Sequence, residues 1–394
     1  MSQPAAHIDA FRPLDAVRAL ATTAIVLLHA ATPYVRTDLP HLLWPIAERG
    51  QSLGPDLLFW GVRGFARGLL FLLAGYASAI VIAKVGPRQF VRKRLHRIGL
   101  PLLVGTLTVL PIMYVVWASG WVARGWALPK DLHHFRFHGR GIQSELFGFG
   151  HLWFLYYLLL TSLGFAAWHA LTDRLALRDR LRLSDRVRAA LALSPLRILM
   201  IAAPVTVVVA LSPDSIFDFR NGFLPRLDFL AYHLPFFIVG VWMAQAKPDK
   251  PNKPKTRLPE RRWALELWLA LIVLLVAMPF IRRQSWGPLV TTDRWLLASL
   301  FGVYGGLMCS GLVGWGQSAQ APTGKAWRWL ADHSFWIYLW HLPFVGLVQI
   351  AFYETHVAIA VKIGCGFAAG IAGAVWVQTR FGTRRGTGVP APGR

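Results

Sequence analysis

The stretch DAVRALATTAIVLLHA, residues 15–30, decides the fold of this chain. With its flanks it is long enough for a membrane-spanning helix, which needs about 20 predominantly apolar residues. It nevertheless carries Arg18 near one end and His29 near the other. On an α-helix these side chains share one face, about 20° apart in azimuth and roughly 16 Å apart along the axis. Because ionisable groups inside hydrocarbon are costly, the pair indicates a function.

The composition extends this interpretation to the whole chain. Of 394 residues, 55% are hydrophobic and only 15% are charged, which is far more apolar than a soluble domain. Hydropathy therefore predicts an all-α polytopic membrane protein with ten transmembrane helices. They are placed near residues 14–33, 55–83, 98–119, 149–170, 196–212, 225–245, 263–280, 294–316, 328–352 and 357–379. Residues 1–380 are expected to form one membrane domain, followed by a cytoplasmic tail, 381–394.

The charge distribution predicts the orientation. A net charge of +23 would suit nucleic acid, but 27 of the 42 Lys and Arg residues lie in alternate loops and the terminal segments, against 11 in the opposite loops and four within spans. This positive-inside pattern places both termini in the cytoplasm and excludes nucleic acid as a partner. Membrane lipids are the expected partners: residues 174–188 predict a basic surface helix, and residues 247–262 a linker that contacts anionic headgroups.

Residues 120–148 form the longest loop on the opposite side and mix aromatic, basic and histidine residues with glycines. Such a loop suits a sugar, because aromatic faces stack on pyranose rings; an interfacial aromatic belt is the alternative. HHFRFH, residues 133–138, has no close acidic partner, so no metal site is predicted. Cys309 and Cys365 lie in apolar spans and predict no disulfide framework.

Six motifs, in this order, resemble the membrane acyltransferase-3 family. The first is LDAVRALATTAIVLLHA, with the family's arginine, ten residues and histidine. The others are LFLLAGYAS at 70–78, RKRLHRIGLPLL at 92–103, GHLWFLYYLLL at 150–160, AYHLPFFIVGVWMA at 231–244 and SFWIYLWHLPF at 334–344. The resemblance covers residues 12–380, and it departs from the family pattern at Leu70, where an aromatic is usual, and at Ala74, where serine is frequent.

The resemblance implies acyl transfer, without a metal, from a cytoplasmic acyl-coenzyme A to a hydroxyl of an extracytoplasmic acceptor. It implies a multi-pass protein of a bacterial inner membrane. The chain is similar in particular to the branch that succinylates periplasmic glucans, with succinyl-coenzyme A as donor. Two alternatives stay open: O-acetylation of another envelope polysaccharide, and a transporter or flippase of an anionic envelope component. The transporter hypothesis predicts an internal repeat, which this sequence lacks.

Acyl transfer favours His29 as the catalytic general base. A hydroxyl titrates far above neutral pH, so it needs a base to attack a thioester, and a neutral histidine is the usual choice. A hydrogen bond between helices is the alternative. The family motif assigns Arg18, nearer the cytoplasmic end, to acyl-coenzyme A binding, and its planar guanidinium matches phosphate geometry. The alternative for Arg18 is snorkelling to headgroups with Asp15 as its partner.

Arg63 and Arg67 lie four residues apart on the second span and share a helix face. Two cations in an apolar stretch require an anion, so both are assigned to acyl-coenzyme A, through its phosphates or a succinyl carboxylate. The alternative partners are structural carboxylates: Asp56, Asp15 or Glu145.

The remaining candidates are expected to line the acceptor path or the tunnel through the bundle. They are His151, Trp153, Tyr338, His341 and Asp15. For Trp153 an interfacial anchor is the alternative, and for His341 a hydrogen bond between helices.

Overall fold

Ten long helices account for most of the chain in the computed structural model, which describes residues 12–48, 52–132, 136–139, 142–145, 148–176, 184, 195–219, 221–245, 262–318 and 324–382. The helices are α1 Arg12–Ala31, α2 Gly54–Arg94, α3 Leu100–Ala123, α4 Trp153–Arg174, α5 Leu196–Leu211, α6 Leu227–Gln245, α7 Arg262–Trp286, α8 Thr291–Gln317, α9 Lys325–Ala351 and α10 Ile359–Phe381. Two strands, β1 Arg136–Gly139 and β2 Ile142–Glu145, pair antiparallel between α3 and α4.

Eight continuous helical segments of the described chain are long and apolar enough to cross a membrane. One of them, Gly54–Ala123, has 70 residues and contains both α2 and α3. Helix α5, with 16 residues, is a shorter apolar helix. The predicted polytopic helical fold is confirmed, and the ten predicted spans correspond in order to α1–α10.

Contacts of the loop after α1 show that α2 and α3 run in opposite directions. Asp56, in the first turn of α2, accepts hydrogen bonds from two backbone N–H groups of this loop, each 3.0 Å long. The indoles of Trp117 and Trp121, near the end of α3, donate to two backbone carbonyls of the same loop at 3.0 and 2.8 Å. The start of α2 and the end of α3 therefore lie together.

The connection between α2 and α3 differs from the loop expected at residues 84–97. The helix continues to Arg94 and passes through a π-helical turn, Leu95–Gly99, into α3. Its direction changes at Gly86, where φ is 73°, and Pro87 follows. Glycine adopts this conformation without a side-chain clash, and proline cannot continue the backbone hydrogen bonding. The other residues include several good helix formers, so one Gly-Pro pair makes the break without a loop.

The end of the bundle at which α1 ends and α2 begins is called the upper end below. Lys362, near the start of α10, donates to Glu48 of the loop after α1 at 2.6 Å, so α10 starts at the upper end. Arg18 of α1 donates to the carbonyl of Ala331, near the start of α9, at 3.0 Å. Helices α1 and α9 therefore both start at the opposite, lower end. Both ends of the described chain lie there, as an even number of crossings requires.

Two glycines allow α2 and α6 to pack closely. A Cβ atom added to Gly75 would overlap the backbone carbonyl of Phe237, and one added to Gly240 would overlap the carbonyl of Leu72. Small residues at a helix interface let two backbones approach each other in this way. The contact joins two of the six sequence motifs and fixes α6 against the lower half of α2.

Three predictions concern residues that the structure describes only in part. The basic segment 174–188 and the linker 247–262 lie largely outside the described residues, as does HHFRFH except for its last three positions. Of the loop 120–148, the structure gives the backbone of the β1–β2 hairpin and the residues up to 132. The sugar-binding role predicted for this loop stays a prediction.

Candidate active site

A cavity of about 1100 Å³ lies toward the upper end of the bundle, between α1, α2, α3, α4 and α6. Ligand sites usually measure about 300–1,000 Å³, so this space suits a substrate of several chemical groups. Five of the predicted site residues line it: His29, Arg63, Arg67, His151 and Trp153. The fold therefore brings together residues of α1, of α2 and of the segment where α4 begins.

His29, at the end of α1, is joined to His341 of α9. The two imidazoles are nearly coplanar, with an interplanar angle of 16° and ring centroids 5.1 Å apart. His29 Nδ1 lies 2.8 Å from His341 Nε2. His341 Nδ1 lies 2.9 Å from the carbonyl of Ile337 and 2.8 Å from that of Tyr338.

These contacts determine which nitrogens carry hydrogen. A carbonyl oxygen only accepts, so His341 Nδ1 must donate to it, and His341 Nε2 of the neutral ring is then an acceptor. His29 Nδ1 must in turn donate to His341 Nε2, which leaves a lone pair on His29 Nε2. No hydrogen-bond partner of His29 Nε2 is found among the described residues. His341 thus holds His29 in a tautomer that could accept a proton, which is the arrangement that a general base for a hydroxyl nucleophile requires.

Trp44 and Gln349 hold His29 from the other side, and the sequence did not single them out. The indole of Trp44 donates to Gln349 Oε1 at 2.9 Å, and its ring lies at 29° to that of His29 with centroids 5.8 Å apart. Gln349 Nε2 donates to the backbone carbonyls of His29 and Ala30 at 2.9 and 3.1 Å. The available signal in the sequence was a glutamine within an apolar predicted span, because an amide buried there, as Gln349 is, is normally fully hydrogen-bonded.

His151 and Tyr338, both predicted to line the tunnel, form the wall behind this pair. His151 Nε2 donates to the carbonyl of Leu339 at 3.0 Å, and Tyr338 donates its hydroxyl hydrogen to the carbonyl of His151. The ring of His151 stands at 86° to that of His341, with centroids 5.5 Å apart. His151 reaches the cavity, whereas His341 and Tyr338 lie behind its surface.

Arg63 and Arg67 are both buried, at 9% and 8% exposure. Arg63 donates through Nε and a terminal nitrogen to the carbonyl of Ile216, and its guanidinium carbon lies 3.9 Å from the ring centroid of Phe219. Arg67 donates only a long bond, 3.4 Å, to the carbonyl of Arg63, and it lies 5.3 Å above the ring of Trp153. Arg67 Nε is buried and has no partner. Of the two, Arg67 has more donor capacity left for a ligand.

Two of the carboxylates expected as alternative partners of Arg63 and Arg67 bind other groups. Asp56 accepts hydrogen bonds from the loop after α1, and Asp15 pairs with Arg18. The side chain of Glu145 lies outside the described residues. Among the residues that the structure describes, Arg63 and Arg67 form no ion pair with a carboxylate. Two buried cations without a carboxylate partner in this part of the chain therefore lie beside the cavity.

Arg18 and Asp15 lie apart from the cavity, at the lower end of α1. Their side chains form an ion pair 3.0 Å long and are 40% and 32% exposed. Arg18 also binds the carbonyl of Ala331. The structure thus places Arg18 with the partner expected for a structural role, while its exposed position leaves it accessible from the lower end. Its assignment to acyl-coenzyme A stays a prediction.

A charged cluster at the upper rim of the cavity was not predicted. Arg226 bonds to Asp218 at 2.5 Å and to both oxygens of Asp228 at 3.1 and 2.6 Å, and His41 Nδ1 lies 3.0 Å from Asp218. Burial lowers the pKa of the Arg226 guanidinium, but hydrogen bonds and charge from the two carboxylates raise it by more, so its pKa lies above the ordinary value. The dense mixture of charged and aromatic residues in 217–229 was the missed signal.

The described site places a histidine with an unpaired ring nitrogen and two buried arginines at one cavity in a bundle of apolar helices. The chain matches the family model Acyl_transf_3, described as an acyltransferase domain, over residues 12–379. It therefore belongs to this family of membrane acyltransferases, as the motifs predicted. No curated protein and no solved structure matches the chain.

Proposed function

We propose that this protein transfers a succinyl group from cytoplasmic succinyl-coenzyme A to hydroxyls of a periplasmic glucan, as implied by its resemblance to glucans biosynthesis protein C. The family supports the reaction class, membrane O-acyl transfer. The donor, the acceptor and the bacterial inner membrane as location are parts of the proposal. The reaction needs no metal.

The observation that carries the proposal is the lone pair of His29 Nε2 in a cavity that also contains two cations without carboxylate partners among the described residues. The acceptor hydroxyl gives its proton to His29 Nε2 as its oxygen attacks the thioester carbonyl carbon. The new C–O bond replaces the C–S bond, and the departing thiolate takes the proton back. During this step the N–H at Nδ1 remains bound to His341, which stabilises the transient imidazolium.

The arginine pair supports a dicarboxylic acyl group. A succinyl group carries a free carboxylate, and a buried guanidinium with an unused donor is the partner such a carboxylate requires. Arg67 Nε is the donor of this kind in the described site. Coenzyme A phosphates are the other anions that the pair could neutralise, and the choice between them is open to a direct test of donor preference.

The test is mass spectrometry of envelope glycans from cells that lack the gene and carry the wild-type chain, His29→Ala or a matched control. His333→Ala is that control, because His333 lies on the same helix α9 as His341, is half-buried and does not line the cavity. We expect succinyl groups on the periplasmic glucan with the wild type and the control. Their loss in His29→Ala should be nearly complete, since a general base contributes about 10²–10⁴ in rate.

Two outcomes would contradict the proposal. Normal succinylation in His29→Ala cells, with the variant present in the membrane, would remove the general-base role. Glycans that are unchanged by loss of the gene, together with an altered distribution of an anionic component across the membrane, would favour the transporter alternative instead.

A further inference from the structure

The cluster at the cavity rim has the construction of a binding site. His41 has a φ of +60°, in the left-handed region, which a non-glycine residue keeps only where the surrounding structure holds it. Asp218 provides that hold: its side chain is 3% exposed, and one oxygen accepts from His41 Nδ1 at 3.0 Å. The imidazole itself is 39% exposed and lines the cavity. A strained residue thus presents a polar ring to the ligand space.

Arg226 fixes the other side of the cluster. Besides Asp218 and Asp228, it binds the neighbouring helix α4, since its backbone N–H donates to the Tyr157 hydroxyl at 2.6 Å. Asp228 also accepts from the Ser212 hydroxyl at 2.9 Å. The polar groups of the rim are therefore held by buried and partly buried partners from three parts of the chain, which favours specific recognition over loose contact.

Three aromatic rings, those of Phe149, Tyr156 and Phe223, lie beside this cluster at the cavity rim. Phe149 stacks on Tyr156 with ring centroids 4.5 Å apart and an interplanar angle of 25°. Phe223 meets Phe149 edge-on at 5.2 Å, lines the cavity and is 50% exposed. Half-exposed ring faces beside fixed hydrogen-bonding groups suit the apolar faces and hydroxyls of a pyranose.

The charges of the cluster select between ligand classes. Two carboxylates, Asp218 and Asp228, already neutralise the one guanidinium of Arg226. One negative charge is left over, so a phosphate or carboxylate at this rim would be repelled. A neutral polyhydroxyl compound avoids this repulsion, and its hydroxyls can bond to the exposed ring of His41 and to the guanidinium of Arg226, which both line the cavity.

We infer that the rim residues His41, Asp218, Phe223 and Arg226 form the subsite for a neutral hexopyranose unit of the acceptor. The inference deepens the proposed function and rests on it for the identity of the acceptor. Since the rim and His29 line one cavity, a sugar bound at the rim can direct a hydroxyl toward the base. On this model Arg63 and Arg67 bind the acyl donor, and the rim residues bind the acceptor.

The experiment measures binding by calorimetry on the full-length protein in lipid nanodiscs. The probes are a neutral linear gluco-oligosaccharide and the same oligosaccharide carrying a phosphate monoester. We expect the wild type to bind the neutral probe at least about tenfold more tightly than the phosphorylated one. Phe223→Ala and Asp218→Asn should each weaken binding of the neutral probe by about tenfold, the effect of losing one good contact.

Asp293→Asn is the matched control, because its ion pair with Arg283, 3.5 Å long, is partly exposed and lies outside the cavity. Phe223→Ala removes a half-exposed side chain, so it is the substitution least expected to disturb folding. Unchanged affinity in Phe223→Ala and His41→Ala, absence of binding to the wild type, or preference for the phosphorylated probe would each overturn the inference.

A parallel assay of transfer from succinyl-coenzyme A separates this inference from the proposed function. Binding of the neutral probe without any transfer would refute the enzymatic assignment and leave the subsite in place. Transfer that is unaffected by the rim substitutions would refute the subsite and leave the enzyme in place.

Discussion

His341 Nε2 accepts a hydrogen bond from His29 Nδ1 at 2.8 Å, and the two residues lie 312 positions apart in the chain. Because His341 itself is fixed by two backbone carbonyls, it leaves His29 with one tautomer. That tautomer directs the basic nitrogen toward the cavity. Under the proposed function His341 is therefore a positioning residue, and its effect should be seen in turnover.

Replacing His341 by Ala should lower kcat by roughly 10², because the base loses its fixed tautomer and the partner of its imidazolium. The KM for the acceptor should change little, since His341 lies behind the cavity surface. Steady-state kinetics of the purified protein measures both quantities. Equal effects of His341→Ala on kcat and on the acceptor KM would contradict a positioning role, and His333→Ala serves as the control.

Replacing Arg67 by Leu should impair transfer of succinyl groups more than transfer of acetyl groups. Its Nε has no partner in the described structure, whereas Arg63 binds the carbonyl of Ile216 and stabilises the fold. The measurement is a competition between the two acyl donors, with the exposed Arg283→Leu as control. If donor preference is unchanged, Arg63 and Arg67 bind the phosphates of coenzyme A or stabilise the packing of the helices.

Arg18→Ala should weaken binding of coenzyme A by roughly 1.5–3 kcal/mol if the guanidinium contacts a phosphate, while His29→Ala leaves binding nearly intact. Calorimetry with the purified variants measures this difference. Asp15→Asn provides the contrast, because it removes the ion-pair partner of Arg18 and keeps the cation. If Arg18→Ala and Asp15→Asn lose thermal stability to a similar extent and both bind coenzyme A normally, the ion pair has only a structural role.

Gly75→Ala and Gly240→Ala should each destabilise the bundle, because the added methyl group meets a backbone carbonyl that cannot move aside without displacing a helix. Overpacking of this kind typically costs about 1–3 kcal/mol. Thermal unfolding of the detergent-solubilised protein gives the comparison. Gly164→Ala, on α4 with open space around it, should be neutral or stabilising; equal stability of all three variants would contradict the close contact.

A reporter fused after Arg394 should be active only in the cytoplasm. The positive-inside distribution predicts this side, and the described chain begins and ends at one end of the bundle. The same reporter inserted after Leu128, at the upper end, should give the opposite result. Periplasmic activity of the C-terminal fusion would reverse the assignment of sides to the cavity and the two arginine sites.

The sequence predicted the helices well because a membrane span is a local property. About 20 apolar residues define each crossing regardless of what they pack against, and α1–α10 begin and end within several residues of the expected positions, apart from the lower end of α2. The cost of burying ionisable groups likewise singled out His29, Arg63 and Arg67. All three line one cavity.

The rest of the site depends on contacts that no local pattern encodes. His41 and Asp218 lie 177 positions apart, and Trp44 and Gln349 lie 305 apart. Gln349 and Asp218 stand out within their own segments, but their partners His41 and Trp44 do not, and the pairs form only when the loops pack at the upper end. The continuation of α2 past residue 83 was missed for a different reason, since a basic loop and a basic helix end have the same composition.

The pairing of α1 with α9 and α10 has a consequence for how the protein is made. The first helix leaves the ribosome long before the last two, yet it packs against both of them in the finished bundle. Until α9 is inserted, His29 lacks the imidazole and the Gln349 amide that orient it. An incomplete chain in the membrane therefore lacks the contacts that orient His29, and under the proposed function it gains activity only when α9 has been inserted.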